Sequence, residues 1–234
     1  MSESLAITAI SLGFLHTILG PDHYLPFVAM SRIWHWSLPR TLVITMLCGI
    51  GHVLSSAVLG IVGIALGLGL EKLEAVESVR SDLAAWALIA FGLVYLVWGM
   101  RAAYRNRPHT HLSIGGGMIV EAHHGPEHAE VHDSASEMPR HASMTPWILF
   151  TIFVFGPCEV LIPLLIFPAA TGQITSVWWV TFLFGITTIA TMIAIVVALL
   201  LGVKSLRLRA FERFGHAAAG AVLLSCGLAI KFGL

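Results

Sequence analysis

The stretch LAITAISLGFLHTILGPDHYLPFVAM, residues 5–30, decides the fold. It is long enough and apolar enough to cross a bilayer as a helix, since one crossing takes about 20 mostly apolar residues. In its interior Gly20-Pro21 interrupts the helix, because proline has no amide hydrogen and leaves the carbonyl four residues back without its helical partner. The stretch therefore predicts a broken membrane helix that carries Asp22 and His23 directly after the break.

The composition of the chain is that of a membrane protein. Of its 234 residues, 57% are hydrophobic and 11% are charged, whereas about 25% of the residues of a soluble globular chain are charged. A formal net charge of zero gives no electrostatic support for binding nucleic acid, so that class of function is excluded. We expect an all-α integral membrane protein that crosses the lipid bilayer with six helices, at residues 5–30, 41–70, 83–100, 146–170, 174–203 and 216–234.

An internal repeat relates the two halves of the chain. An offset of 136 residues (156 − 20) places Gly20-Pro21-Asp22-His23 on Gly156-Pro157-Cys158-Glu159. Each half holds three spans, and an odd number obliges the second half to enter the membrane from the opposite side. The sequence therefore predicts two inverted three-helix repeats, residues 1–100 and 146–234, each with a Gly-Pro broken helix.

A histidine-rich polar stretch, residues 101–145, separates the two repeats. It interleaves imidazoles with carboxylates around three consecutive glycines and has few core-forming residues, so we interpret it as a flexible loop that attracts metal. The histidines predicted to capture metal are His109, His111, His123, His124, His128, His132 and His141.

Basic residues near the ends of the spans predict the orientation in the membrane. Ten of them fall on the side that includes residues 101–145, and two, Lys72 and Arg80, fall on the other side. We therefore expect residues 101–145 in the cytoplasm, both termini outside, and a location in the cytoplasmic (inner) membrane.

Ionisable and thiol side chains in otherwise apolar spans form the candidate site. A carboxylate in mid-membrane costs about 2.5 to 3.5 kcal/mol on insertion scales, so carboxylates at matching depths in both halves indicate a bound cation. Imidazole, carboxylate and thiolate ligands favour a divalent transition metal over magnesium or calcium. The predicted ligands are His16, Asp22, His23, His52, Cys158 and Glu159, with the hydroxyls of Thr187, Thr188 and Thr191 orienting them.

Two short motifs resemble those of a known family. His16 to His23 reads H-x-x-x-x-x-D-H, and Gly49-Ile50-Gly51-His52 follows in the next span. With the Gly156-Pro157-Cys158 turn, they resemble the nickel/cobalt transporter superfamily, which includes the NiCoT, NicO and UreH-like proteins. The permease pattern has four residues before its Asp-His pair, whereas this chain has five, one of them a proline. The resemblance implies nickel or cobalt transport, with His16, Asp22, His23 and His52 in the metal path.

We therefore expect a transporter of a divalent transition metal, namely nickel, cobalt or zinc, and neither an enzyme nor a protein with a resident cofactor. Protonation of the ligands is a candidate counter-reaction, because protons and metal compete for the same lone pairs. Efflux is favoured over uptake, since a metal-gathering loop in the cytoplasm suits export. A homo-oligomer is left open.

Three alternatives rest on other chemistry. An intramembrane metal hydrolase would use Glu159 as its general base, but it has no need of two related halves. A small-anion exporter needs basic residues at the midplane, and the sequence places no lysine or arginine near either break. A thiol–disulfide conduit needs a cysteine in each half, and it is excluded because Asp22 occupies the position equivalent to Cys158.

Overall fold

The computed structural model describes residues 3–105, 109–112, 118–121, 140–156, 158–203 and 209–233. Apart from two short antiparallel strands, β1 (His109–Leu112) and β2 (Met118–Glu121), the regular structure in these ranges is helical. The helices are α1 (Glu3–Leu19), α2 (Leu25–Ile33), α3 (Leu38–Ala65), α4 (Leu70–Arg105), α5 (Arg140–Phe155), α6 (Leu161–Ala170), α7 (Ile174–Val203) and α8 (Arg209–Lys231).

Several of the described helices can cross a membrane. By length and composition α3, α4, α7 and the part of α8 from Phe214 each qualify. The pair formed by α1 and Pro21–Ile33 qualifies jointly, but it is bent by 85° at the break. α5, from Pro146, and α6 are shorter apolar helices. The expected helical integral membrane protein is confirmed at this level.

α4 is longer than the sequence indicated. The third span was expected to begin at residue 83, but the helix begins at Leu70. Its first turns carry charged side chains that resemble a surface loop in the sequence, and two of them, Glu77 and Arg80, are buried or nearly so. These two charges therefore belong to the protein interior.

α4 and α8 pack with their backbones in contact. A β-carbon at Gly92 or Gly99 of α4, or at Gly220 or Gly227 of α8, would collide with the main chain of the facing helix. Close approach through small residues is a common way for membrane helices to gain packing energy. The two helices are antiparallel, because Gly99 faces residue 217 whereas Gly227 faces residues 85 and 89.

α3 lies beside both broken helices. Gly51 packs on the side chains of Phe150 and Val154 of α5, and Gly49 packs on residues 189 and 192 of α7. α1 packs on the same α7, with Gly13 against Phe184 and Thr188. This arrangement places His52 of α3 between the two breaks.

The described parts of the histidine-rich stretch have regular structure. The strand pair lies within it, where Ile119 and Val120 are β-branched residues that favour a strand. α5 begins at Arg140, inside the predicted loop. Of its histidines, His109 and His111 lie in β1 and His141 lies in α5, whereas four lie outside the described residues: His123, His124, His128 and His132.

Candidate metal centre

The first break lies between α1 and α2. Gly20 leaves the helix, and Pro21–His23 forms one turn of 3-10 helix in which the His23 amide donates to the Gly20 carbonyl at 3.1 Å. A side chain at position 20 would collide with the imidazole of His23 and the carboxylate of Asp22. Glycine at this position therefore leaves room for both side chains to lie against the end of α1.

Three histidines meet at this break. His16 comes from α1, His23 from the 3-10 turn and His52 from α3, with ring centroids 4.6 Å, 5.0 Å and 6.1 Å apart. One ligand nitrogen of each lies within 4.8 Å of the others. His23 and His52 are each only 2% exposed. The rings of Phe153 and Phe184 border the cluster.

Hydrogen bonds determine which nitrogens face the centre of this cluster. Nδ1 of His23 lies 3.1 Å from the Gly20 carbonyl and 3.2 Å from the Asp22 carboxylate, and Nδ1 of His52 lies 3.3 Å from the Phe153 carbonyl. Carbonyls and carboxylates accept hydrogen bonds, so Nδ1 carries a hydrogen in both rings, and Nε2 keeps its lone pair in a ring that is neutral. The two Nε2 atoms nevertheless approach to 3.4 Å. Two lone pairs at that distance repel unless a proton or a metal ion lies between them.

The second break brings a thiol to the cluster. Cys158, between α5 and α6, is fully buried, and its Sγ lies 3.8 Å from Nε2 of His16. The carbonyl of Phe153 lacks the amide donor four residues on because residue 157 is proline. It accepts from the Gly156 amide at 3.0 Å and from the ring of His52 at 3.3 Å. The two breaks and α3 thus contribute to one site.

An ion pair on α4 between Glu77, which is buried, and Arg80, which is half-buried, borders the second break. Glu77 accepts from the amide of Cys158 at 2.8 Å, and Arg80 donates to the carbonyl of Val154 at 2.9 Å and to that of Gly156 at 3.4 Å. The expectation that no arginine lies near either break was therefore wrong. The available signal was the spacing of three residues, which puts both charges on one face of a helix.

The other predicted ligands lie outside the group of three imidazoles. Asp22 supports a ring through its bond to His23. Glu159 follows Cys158 in a turn and is exposed, so the structure does not bring it to the cluster.

The three threonines predicted to orient the ligands lie on α7. Thr187 is half-buried, whereas Thr188 and Thr191 are buried. The hydroxyl of Thr188 lies in the packing contact with Gly13 and has no hydrogen-bond partner among the described residues. The structure thus places Thr188 close to α1, about one turn from His16.

A sequence profile of a protein family matches most of the chain. The family is described as Cytochrome C biogenesis protein transmembrane region, and the match covers residues 26–229, which is 204 of 234 residues. No match was found among curated proteins or among solved structures. The matched range includes His52, the ion pair on α4 and Cys158, but it begins after His16 and His23.

This match overturns the functional expectation from the sequence. The resemblance to the nickel/cobalt transporter superfamily was wrong, and so was the expected function, transport of nickel, cobalt or zinc. The resemblance rested on short motifs around a Gly-Pro break, whereas the family match extends over most of the chain. The hydrolase and the small-anion exporter find no support in the match either, and the exclusion of thiol–disulfide chemistry was wrong, since that is the alternative that the match favours.

Proposed function

The chain belongs to the Cytochrome C biogenesis protein transmembrane region family, and on this premise we propose that it serves c-type cytochrome assembly as a membrane protein with a resident transition-metal ion. His16, His23 and His52 bind the ion, and the Cys158 thiolate is the fourth ligand. The approach of two buried Nε2 atoms to 3.4 Å, with both Nδ1 atoms bonded to acceptors, carries the proposal. The ion is a cofactor that stays in the protein and is not its cargo.

The geometry of a tetrahedral metal site accounts for the distance between the two closest imidazole nitrogens, and the thiol lies somewhat farther away. Zinc lies about 2.0–2.1 Å from an imidazole nitrogen, so two nitrogens on one tetrahedral ion lie about 3.3–3.4 Å apart. The Nε2 atoms of His23 and His52 lie 3.4 Å apart. A thiolate at about 2.3 Å from the ion puts sulfur about 3.5–3.6 Å from each nitrogen. The Sγ of Cys158 lies 3.8 Å from Nε2 of His16, but the group of ligand atoms within 4.8 Å of one another consists of the three imidazoles without it. Cys158 must therefore move closer to His23 and His52 to bind the same ion.

The surroundings of the rings also support a resident ion. Histidines that bind metal usually donate their other N–H to a carboxylate or a backbone carbonyl, which fixes the ring orientation. Asp22 and the Gly20 carbonyl serve His23 in this way, and the Phe153 carbonyl serves His52. Three imidazoles and a thiolate suit zinc, copper or cobalt better than the hard cations magnesium and calcium.

The proposal includes an architecture and an orientation. Six crossings, counting α1 with α2 and α5 with α6 as single broken spans, form two inverted repeats around the metal. The matching Gly-Pro breaks and the antiparallel packing of α4 on α8 support this arrangement. The excess of basic residues on one side supports a cytoplasmic position for residues 101–145 in the inner membrane, with both termini outside.

Metal titration of the purified protein tests the proposal. We expect one tightly bound zinc or cobalt ion per chain, measured by elemental analysis after removal of weakly bound metal, in a variant whose seven loop histidines are replaced by asparagine. Cobalt should also show the charge-transfer absorption of a thiolate ligand. Glu159→Gln is the matched control and should bind equally well, because Glu159 is exposed. Failure of this variant to retain any ion would contradict the proposal.

A second candidate function is thiol–disulfide exchange with a partner protein, which the family match and the contact of Cys158 with His16 favour. The Cys158 thiol gives its proton to His16, and the thiolate attacks a disulfide of the partner. One partner sulfur leaves as thiolate and a mixed disulfide forms. Because Asp22 stands where the other half would need a cysteine, a partner thiol must then resolve the mixed disulfide. The break must open first, since Cys158 is fully buried.

An aromatic disulfide that releases a coloured thiolate tests this second candidate. In membranes, a variant with Cys48→Ser and Cys226→Ser should release one equivalent of the coloured thiolate per chain. The further change Cys158→Ser should abolish this release. Cys48 and Cys226 are replaced because both are also free thiols, and any release by them would obscure that of Cys158. No release from the variant that retains Cys158 would rule out exchange and leave the metal proposal untouched.

A further inference from the structure

The ion pair on α4 occupies the place of one missing helical hydrogen bond. In a continuous helix the amide of Cys158 would donate to the carbonyl of Val154. Here that amide donates to Oε1 of Glu77 at 2.8 Å, and that carbonyl accepts from Nη2 of Arg80 at 2.9 Å. The donor and the acceptor of the missing helical bond are thus each bound by one member of the same ion pair.

The proline at position 157 does not by itself explain the break. A proline removes the hydrogen bond between its own position and the residue four before it, here Phe153. The bond between Cys158 and Val154 stays available. Elsewhere in this chain helices continue through proline, at Pro146 in α5 and at Pro168 in α6. Proline alone therefore does not account for the missing bond between Cys158 and Val154, both of whose atoms are bound by the ion pair on α4.

The first break differs at the equivalent position. Subtracting the repeat offset from residue 154 gives Ile18 (154 − 136 = 18), whose carbonyl accepts from the hydroxyl of Tyr24 at 3.3 Å. That hydroxyl belongs to the same broken helix. At the second break the donor and the acceptor come from α4, so the position of α4 determines whether this break stays open.

The same ion pair also contacts the part of α3 that carries a metal ligand. Arg80 donates to the hydroxyl of Ser55 at 2.9 Å, and this hydroxyl donates to the carbonyl of His52 at 2.9 Å. The hydroxyl of Ser56 donates to Glu77 at 2.9 Å. The pair thus fixes the main chain at two proposed ligands, His52 and Cys158.

We propose that Glu77 and Arg80 form a wedge that holds the second break open and positions Cys158 to complete the metal site. The inference rests on the proposed metal centre for its functional part only, since the opening of the helix is a property of the backbone. Without the wedge, the amide of Cys158 bonds to the carbonyl of Val154, α5 extends through the break, and the thiol leaves the three imidazoles. Both residues act through Cys158 and are positioning residues.

The test uses the double variant Glu77→Leu/Arg80→Leu. Both charges are removed together, because removal of one alone leaves the other buried and unpaired and destabilises the whole protein. Selective labelling with ¹³C-carbonyl valine and ¹⁵N cysteine, in a Cys226→Ser background, reports the distance between the Val154 carbonyl and the Cys158 nitrogen by solid-state NMR. The background change removes the helical pair of Val222 and Cys226. We expect the double variant to show dipolar dephasing between these two nuclei, as a helical pair does. The protein that keeps Glu77 and Arg80 should not show it.

Cobalt absorption, measured on the same samples, reports the ligand. The double variant should keep cobalt on the imidazoles and lose the thiolate charge-transfer band, as Cys158→Ser does. The control Asp82→Asn/Lys231→Gln removes a different ion pair of α4, which is largely exposed, and should change neither the dephasing nor the thiolate band.

Two results would overturn the wedge. Unchanged dephasing in the double variant would show that proline and packing suffice to open the helix. Gained dephasing with an intact thiolate band would show that Cys158 reaches the metal without the wedge. Absence of cobalt from the protein with the wedge would refute the metal centre, and the dephasing alone would then decide whether the ion pair holds the break open.

Discussion

Replacement of His52 by alanine should lower the affinity of the protein for zinc or cobalt by more than about 100-fold, beyond what the loss of outer-shell partners costs. His52 contributes one of the two Nε2 atoms that face each other at 3.4 Å, and it is 2% exposed, so neither water nor a flexible neighbour replaces the lost nitrogen. A 100-fold loss corresponds to about 2.7 kcal/mol of binding free energy. Competition with a chelator of known affinity measures it.

Replacement of a residue that only supports a ligand should lower the metal affinity less than replacement of the ligand itself. Asp22→Asn keeps an oxygen near Nδ1 of His23 but removes its charge, so we expect a loss of about tenfold, at the low end for an outer-shell partner. The matched control is His216→Ala, since His216 packs against Trp98 in α4 and does not belong to the described metal-capable group. Equal affinities for His52→Ala and this control would refute the assignment of the ligands.

Part of the site could be predicted from the sequence because its residues are ionisable side chains within otherwise apolar spans. A histidine or an aspartate in an apolar span is costly unless it has a partner. His16, His23 and His52 therefore stand out in the amino-acid sequence alone, and the fold brings all three together. The Gly-Pro dipeptide likewise indicates the break, because no other pair combines a missing donor with so free a backbone.

The part that could not be predicted depends on packing. Glu77 and Arg80 lie in a charged segment that reads as a surface loop, and only the contact of α4 with the second break makes them interior residues. Glu159, by contrast, was predicted as a ligand, but the structure does not bring it to the cluster. The repeat aligns it with His23, but the turn after Cys158 directs it outward, since a shared sequence offset does not impose a shared side-chain direction.

The family could not be read from the motifs for a related reason. Imidazoles beside a Gly-Pro break are expected in any buried cation site of a broken helix, whatever the family. These motifs therefore indicate cation binding but do not identify the family. The family match extends over residues 26–229, so it depends on most of the chain and not on the short motifs.

The backbone contact between α4 and α8 is the packing feature with the greatest expected effect on stability. A β-carbon at Gly220 would collide with the main-chain nitrogen of Leu96 and lie 2.8 Å from the carbonyl oxygen of Gly92. Backbone atoms cannot rotate away as a side chain can, so the two helices must move apart. Overpacking of this kind costs about 1–3 kcal/mol and occasionally more.

Gly220→Ala should therefore destabilise the protein by about 2 kcal/mol or more, even though alanine favours a helix over glycine by about 1 kcal/mol. Gly215→Ala provides the matched control on the same helix, because a β-carbon there meets nothing within 4 Å. Its helix propensity then acts alone, and the variant should be as stable as the parent or more stable by up to about 1 kcal/mol. Unfolding by denaturant in detergent measures the stability of both variants.

Separation of the helices also moves α4, which carries Glu77 and Arg80, so Gly220→Ala should in addition weaken the thiolate band of bound cobalt. Equal stabilities of the two variants would mean that the backbones of α4 and α8 are not in contact, and the wedge would lose the rigid helix on which it depends.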